Sequence, residues 1–470
     1  MKIKCRNCKS QKLTKVIYIG KQVVSSIFPK TKPKSSKKYS LDLYECKKCK
    51  LVQLGKSIPL GNMYGETYGY RSSLSKLMVN HLKRKFLKLK KMLSLKKNSN
   101  ILDIGSSDST FLNFFSNEKR GYSCFGIDPS AKKYSKYYNK DVNLIVDYFS
   151  AKSVNSRLNS INLKNKKFKL ISSFAMFYDI DDPNSFCKDI RSLLEKDGIW
   201  ILEMSYFPML LSNLTYDQIC HEHVTYYTLS VFKKIAEKND LKIIDFSFNI
   251  INGGSIEIIC APKNSKIKPK KTKILSQLEI EDKISHDDFK KFNLRVNNIK
   301  KTTNILLENI NKANNKIIGY GAATKGNIVL NHCELNTKKI PLICDENEEK
   351  FGRYTPGSNI KIIPKKTMRK LNPDYLLVLI WSFKSEVIKQ ELNYIKKGGK
   401  LIFINTRAPL RARLIRSQEI DTAQIFSAVA SHITRIKSLF QPKPLRKQPP
   451  SSFTSHFPKS KPEKCLCLIK

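Results

Sequence analysis

Twelve cysteines are spread unevenly along the chain, and four of them form two pairs, Cys5-x-x-Cys8 and Cys46-x-x-Cys49. Two such turns brought together present four soft thiolates in a tetrahedron, which suits Zn²⁺ and constrains the N-terminal stretch more tightly than any other feature. Lysine and arginine beside each pair favour the thiolate form. A closed site of this kind is structural, and its metal contributes folding free energy on the order of 10–16 kcal/mol. The competing reading is four unligated cysteines in two turns. Disulfides fit poorly, because the chain opens on the polar MKIKCRNCKS without a charged-then-apolar signal.

A length of 470 residues exceeds one ordinary core, so two to four domains are expected. Hydrophobic residues make up 41%, enough for packed cores rather than a disordered chain. The longest apolar run, YLLVLIW from Tyr375 to Trp381, is too short to span a bilayer, so a cytoplasmic protein without membrane contact is expected. The net charge of +48 raises nucleic acid as a partner, through counterion release from phosphates. Yet the lysines lie along the whole chain and not on one tail or stripe. That disfavours nucleic acid and favours compositional drift, with some positive field useful to an anionic substrate.

Residues 100–115, NILDIGSSDSTFLNFF, read as strand, tight turn and helix. The next strand, YSCFGID, ends on Asp128, about 25 positions after Asp103, the spacing of a nucleoside-binding Rossmann-like unit. Gly105 lets the backbone approach a ligand, and Asp128 is placed for ribose hydroxyls. The loop is DxGxxxS, with Ser107 and Ser109 where a dinucleotide fold prefers glycines. A ligand without a pyrophosphate, such as S-adenosylmethionine (SAM), fits it better. Further alternation follows, with a helix after Pro183, GIWILEMS at 198–205, and an apparent pair of strands at Leu241–Phe248 and Ser255–Cys260. Together these imply a doubly wound sheet covered on both faces.

A polar, Lys-rich stretch, 262–285, reads as a linker into a helix near 286–312. A second α/β unit begins with KIIGYGAATKGNIVL (316–330), and Asp345 ends its second strand about 24 residues past Gly321. Lys325 stands in its phosphate-approaching loop. The unit serves either a nucleotide or the scaffold alone. The stretch 410–470 is basic and rich in Pro and Ser, and reads as disordered.

QICHEHVTYY (218–227) raises its own question. His221, Glu222 and His223 are consistent with acid/base chemistry, with polar residues satisfied in a core, or with a metal. The metal is the weakest of the three, because positions 221 and 223 lack a third ligand nearby in sequence.

Nine stretches now stand in one order: the paired CxxC, YECKKCKLVQL (44–54), MYGETYGYRSS (63–73), LDIGSSDSTFL (102–112), YDQICHEHVTYYTLS (216–230), NGGSIEI (252–258), GYGAATKGN (319–327), DENEEKFGRYTPG (345–357) and PDYLLVLIW (373–381). Together they resemble one family, the SAM-dependent C-methyltransferases that act on nucleotide-linked ketosugars. The resemblance implies an α/β chain built from a small zinc-binding module (1–72), a Rossmann-like class I methyltransferase domain (73–262), a linker and helix (263–312) and a second, smaller Rossmann-like domain (313–409), before the tail.

By the same resemblance, His223 is the base that removes a proton beside the ketone, Glu222 orients it or holds the sugar, and His221 stands behind them. Histidine suits that role, since its unperturbed pKa lies near neutral pH. Tyr68 and Tyr70 would line the sugar site and donate to an enolate oxygen, unless they only pack a seam between domains. Tyr64, Asp179 and Lys325 would contact the substrate, while Asp103, Gly105, Ser107 and Asp128 would hold SAM. Three positions depart from the pattern: Cys220 where some relatives carry tyrosine, Asp179 where some carry histidine, and Ser109 for a glycine.

Two rival functions remain open. One is a zinc-ribbon RNA methyltransferase, which the charge favours, although no Asn/Asp-Pro-Pro-aromatic motif follows the fourth strand. The other is a non-catalytic sugar-nucleotide-binding protein, against which the intact His-Glu-His, Asp128 and tyrosine pair argue.

Overall fold

The computed structural model describes residues 3–58, 71–118, 120–163 and 166–404. Tyr64, Tyr68, Tyr70 and the stretch 410–470 lie outside these residues. At the N-terminus, β1 (Leu13–Ile17) leads into a ribbon of β2 (Lys21–Val23) and β3 (Lys38–Ser40). Next, β4 (Leu43–Cys46) returns antiparallel to β1, and β5 (Val52–Leu54) pairs with β4.

Helix α1 (Lys76–Met92) starts at Ser75, whose hydroxyl accepts from the Met78 amide. Its spacing suggests a basic outer face, and Lys83, Arg84 and Lys88 are exposed. Lys85 is not: it is 4% exposed and pairs with Glu203, at 2.6 Å, and with Glu257. His81 adds a 2.9 Å contact to Glu203. Burial would raise the Glu203 carboxyl, but Lys85 and His81 hold it at about 2.

The central sheet is laid down by β6 (Asn100–Ile104), α2 (Thr110–Ser116), β7 (Ser123–Ile127), β8 (Val142–Ile145), α3 (Ala151–Ser160), β9 (Phe168–Phe174), α4 (Pro183–Leu193) and β10 (Leu194–Ser205). After α5 (Phe207–Asn213), β11 (Thr225–Tyr226) and α6 (Leu229–Lys238), the chain adds β12 (Leu241–Asn249) and β13 (Ser255–Pro262). The strand order is β12-β13-β10-β9-β6-β7-β8, parallel from β8 to β10 and antiparallel through β13 and β12. The topology reverses between β6 and β9, and such switch points are where open α/β sheets bind ligands. Every residue of β6 is buried, as a strand covered on both faces requires.

The short strand β11 does not join this sheet. It pairs with β5 of the N-terminal module, with Thr225 opposite Gln53 and Tyr226 opposite Val52. The stretch that reads as a linker also carries a helix, α7 (Lys271–Glu281), because Ile274, Gln277 and Glu281 find burial there. Helix α8 (His286–Lys312) follows, opened by a capping box of Ser285 and Asp288.

The second α/β unit contains β14 (Ile317–Tyr320), α9 (Thr324–His332), β15 (Leu342–Asp345), β16 (Lys361–Pro364), α10 (Lys365–Leu371), β17 (Tyr375–Val378), α11 (Lys384–Gln390), α12 (Leu392–Lys396) and β18 (Lys400–Phe403). Its sheet is parallel throughout, in the order β16-β15-β14-β17-β18. Among the described residues the apolar interior falls into several cores, two of which matter for the site. Leu82, Phe86, Ile101, Phe115 and Ile199 pack within the central unit. A second core joins Ile17 and Leu54 of the N-terminal module to Tyr216, to Phe292 and Leu307 of α8, and to Ile343 and Leu377 of the C-terminal sheet. No helix among the described residues is long and apolar enough to cross a membrane.

Candidate active site

Cys5, Cys8, Cys46 and Cys49 bring their sulfurs within 4.8 Å of one another. Each pair is bent by one left-handed residue, Lys9 or Lys50, whose amide bonds back to the carbonyl of Cys5 or Cys46 at 2.9 Å. The Cys49 contact pulls the Cys5 thiol down to about 5, against its burial. Four soft donors in one buried cluster fit a structural zinc ion with no open position for substrate.

Between those cysteines, Arg6 ties the module to the central domain. Its guanidinium donates to Asp181 at 3.0 Å, to Ser57 at 2.7 Å and to the Leu54 carbonyl at 2.6 Å. Asp181 belongs to the segment that also carries Tyr178 and Asp179, and this segment walls a cavity of about 1260 Å³. Such a volume exceeds the usual 300–1,000 Å³ of a single ligand site, which leaves room for a donor and an acceptor together.

At one end of the cavity lies the loop after β6. Gly105 has φ +73°, and a Cβ there would come within 3.3 Å of Met176, so the turn is glycine's. Ser107 (φ +47°) and Ser109 (φ +62°) adopt the same left-handed region without being glycine. Ser109 is fully buried, donates to Asn113 Oδ1 at 2.9 Å and does not line the cavity. Its cost is therefore backbone strain of about 1–2 kcal/mol rather than a changed donor surface. Asp128 accepts from the Ser107 amide at 3.0 Å, and from the Ser130 amide and hydroxyl at 2.7 and 2.6 Å. Three of about four acceptor positions are filled, which orients the carboxylate and leaves capacity for a ribose hydroxyl. Asp103 is buried and accepts from Ser172 at 2.6 Å. Burial raises its carboxyl to about 7, with Ser172 opposing and Asp128 adding to the rise. Ile127, Pro129, Phe149 and Met176 supply apolar walls. These residues fit SAM.

His223 and Glu222 reach the cavity with Asp179, Asp217 and Cys220. The ring of Tyr178 lies 4.0 Å from that of His223, centroid to centroid. His223 Nδ1 donates to the Gln218 carbonyl at 2.7 Å, so Nε2 carries the lone pair in the neutral ring. Burial, then the charge of Lys325, push this imidazole down to about 3, against the Gln218 bond. It is neutral throughout the physiological range. Both oxygens of Glu222 are buried and make no hydrogen bond among the described residues, although the Cys220 thiol stands beside them. Burial and the Glu222 charge push that thiol well above its ordinary value, so it stays neutral.

His221 is placed elsewhere. It does not line the cavity; its Nε2 faces the Tyr39 carbonyl at 3.4 Å, and the two rings meet edge to face. Chain direction explains the separation, since the backbone is on its way to pair β11 with β5.

The C-terminal sheet forms the far wall. Lys325 enters from the start of α9 and donates to Asn252 Oδ1 at 2.9 Å. It is half-buried and lines the cavity. Asn252 also accepts from the Gln218 side chain through its backbone carbonyl. Trp381 donates to Asp217 at 2.7 Å and packs on Gly253, where a Cβ would fall 2.6 Å from the indole. Gln218, Asn252, Asp217 and Trp381 escape sequence reasoning as site residues, although NGGS and the end of YLLVLIW belong to stretches with family resemblance.

A doubly wound sheet, a donor loop at its switch point and a neutral histidine in the same cavity define a SAM-dependent methyltransferase. Three family models match in order: a zinc binding domain over residues 5–64, a methyltransferase domain over 78–245 and a C-methyltransferase C-terminal domain over 250–404. The chain is thus a C-methyltransferase, with SAM as donor and a structural zinc. It is 25% identical over 366 residues to the C-methyltransferase NovU of Streptomyces niveus, a match covering 77% of this chain and 86% of that protein. Among solved structures, the plantazolicin methyltransferase BpumL, in complex with a pentazolic desmethyl analogue and SAH, matches 41% of this chain and 88% of its own at 13% identity, with a TM-score of 0.31.

Proposed function

We propose that the protein methylates a carbon beside the ketone of a nucleotide-linked sugar through an enolate, with His223 as the base. The observation that carries this reading is the His223 tautomer: the Gln218 carbonyl accepts from Nδ1–H, leaving Nε2 as an acceptor in a cavity large enough for donor and sugar nucleotide. Bound SAM supplies an electrophilic methyl on a sulfonium. The chain's own residues do the rest. Asp128 accepts from the ribose, the Gly105–Ser107 turn admits the donor, and His223 Nε2 removes the proton. Glu222 and Asp179, which line the same cavity, accept from sugar hydroxyls in this reading. By domain, residues 1–72 hold the zinc, 73–262 bind the donor and 313–409 complete the substrate site.

The test is His223→Asn, followed by turnover and by calorimetric titration with SAM. Turnover should fall about 10²–10⁴-fold while donor affinity stays near wild type. Unchanged turnover would remove His223 as the base.

A further inference from the structure

Enolate formation places negative charge on an oxygen, and the groups around His223 are mostly of the wrong kind to receive it. Asp179, Asp217 and Glu222 are carboxyl groups, and Cys220 is a buried neutral thiol. Lys350, Arg353 and Lys365 also line the cavity, but Lys325 is the cation whose charge acts on His223. It belongs to a different domain, yet one chain of hydrogen bonds joins it to the base. His223 Nδ1 donates to the Gln218 carbonyl at 2.7 Å, the Gln218 side chain donates to the Asn252 carbonyl, and Asn252 Oδ1 accepts from Lys325 Nζ at 2.9 Å.

The state of that ammonium is unusual. Its hydrogen bond among the described residues goes to a neutral amide, whereas Lys350 and Lys365 of the same unit are paired with Asp345 and with Glu346 and Glu391. Asp217 acts on it through space, but the Asp217 carboxylate already accepts from Trp381. Withdrawing a cation part-way from water without a bonded counter-charge is costly, and an anion that arrives during the reaction offsets that cost.

We propose that the Lys325 ammonium binds and stabilises the enolate oxygen of the substrate, a catalytic role contributed by the C-terminal sheet. This rests on the ketosugar reading above. The step balances within the site: His223 Nε2 takes the proton, the C–H electron pair becomes the enolate double bond, and the carbonyl π pair moves onto the oxygen facing Lys325.

Solvent exchange tests it without requiring methyl transfer. The full-length protein, saturated with S-adenosylhomocysteine, is incubated in D₂O with the dTDP-, UDP-, CDP- and GDP-linked 4-keto-6-deoxyglucoses, and deuterium wash-in beside the ketone is followed. In Lys325→Met, exchange at saturating sugar should fall about 10²–10³-fold, with sugar affinity changed less than about threefold and SAM titration unchanged. Lys325→Arg should recover part of the rate. Removing the cation should also move the acid limb of the exchange profile to higher pH, because Lys325 helps hold His223 down. Wild-type exchange at saturation in Lys325→Met would overturn the assignment, as would slowed exchange with no shift of the acid limb and no rescue by arginine. A wild-type protein that exchanges none of the four sugars would instead overturn the ketosugar reading, and this inference with it.

Discussion

His223 and Asp103 are both displaced from their usual titration, in opposite senses and for one dominant reason, burial. For His223 the displacement keeps the base ready: with a value near 3, the rate should show no histidine titration between pH 6 and 8, and a limb near pH 6.5 would mean that His223 is more open than described. Asp103 bears on stability. Unfolded, it releases its proton near 3.8; folded, near 7. Between those values the folded state keeps a proton that the unfolded state has lost, so stability falls as pH rises from about 4 to 7, and the full cost stands above that window. Asp103→Asn should therefore leave stability near wild type at pH 4 yet raise it by about 2–4 kcal/mol at pH 8 in denaturant melts. Equal gains at both pH values would point to packing and not to charge. At this scale the sequence was informative where chemistry is local: the four cysteines converge, and Asp103, Asp128, Glu222 and His223 line one cavity. His221 does not, because its direction depends on a strand pairing that no local pattern encodes.

The elements show where periodicity is enough and where it is not. Strands β6, β7, β10 and the β12–β13 pair were legible from apolar runs, the first two marked by the acids Asp103 and Asp128. Helix α7 was hidden, since KTKILSQLEIE has no clear apolar stripe, and Gln277 and Glu281 are buried through hydrogen bonds to Tyr206 and the amides of Leu229 and Ser230. Lys85 escaped for the same reason: one lysine among many on α1 turns inward to two carboxylates contributed by β10 and β13. Lys85→Met should destabilise the protein by about 3–5 kcal/mol in denaturant melts, because Glu203 and Glu257 would be left buried side by side. A loss below about 1 kcal/mol would show that the pair relaxes toward water.

Over the whole molecule, domains that look sequential share their interior. The N-terminal module and the C-terminal sheet contribute to one apolar core, while the central sheet packs largely on its own. Zinc removal should therefore loosen the C-terminal sheet as well as the module. Under chelation, tryptic cuts are expected within 313–404 before they appear within 100–262; cuts confined to 1–58 would show that the shared core survives without the metal. The pairing of β5 with β11 also sets a timetable for the nascent chain. Synthesis delivers β5 roughly 170 residues before its partner strand, an interval on the order of 10 s at ordinary elongation rates. The four cysteines have all emerged by then, so metal capture can shape the module while its sheet still has an open edge. The strand that finally seals that edge begins two residues after His223, and closing the module and delivering the base are one event.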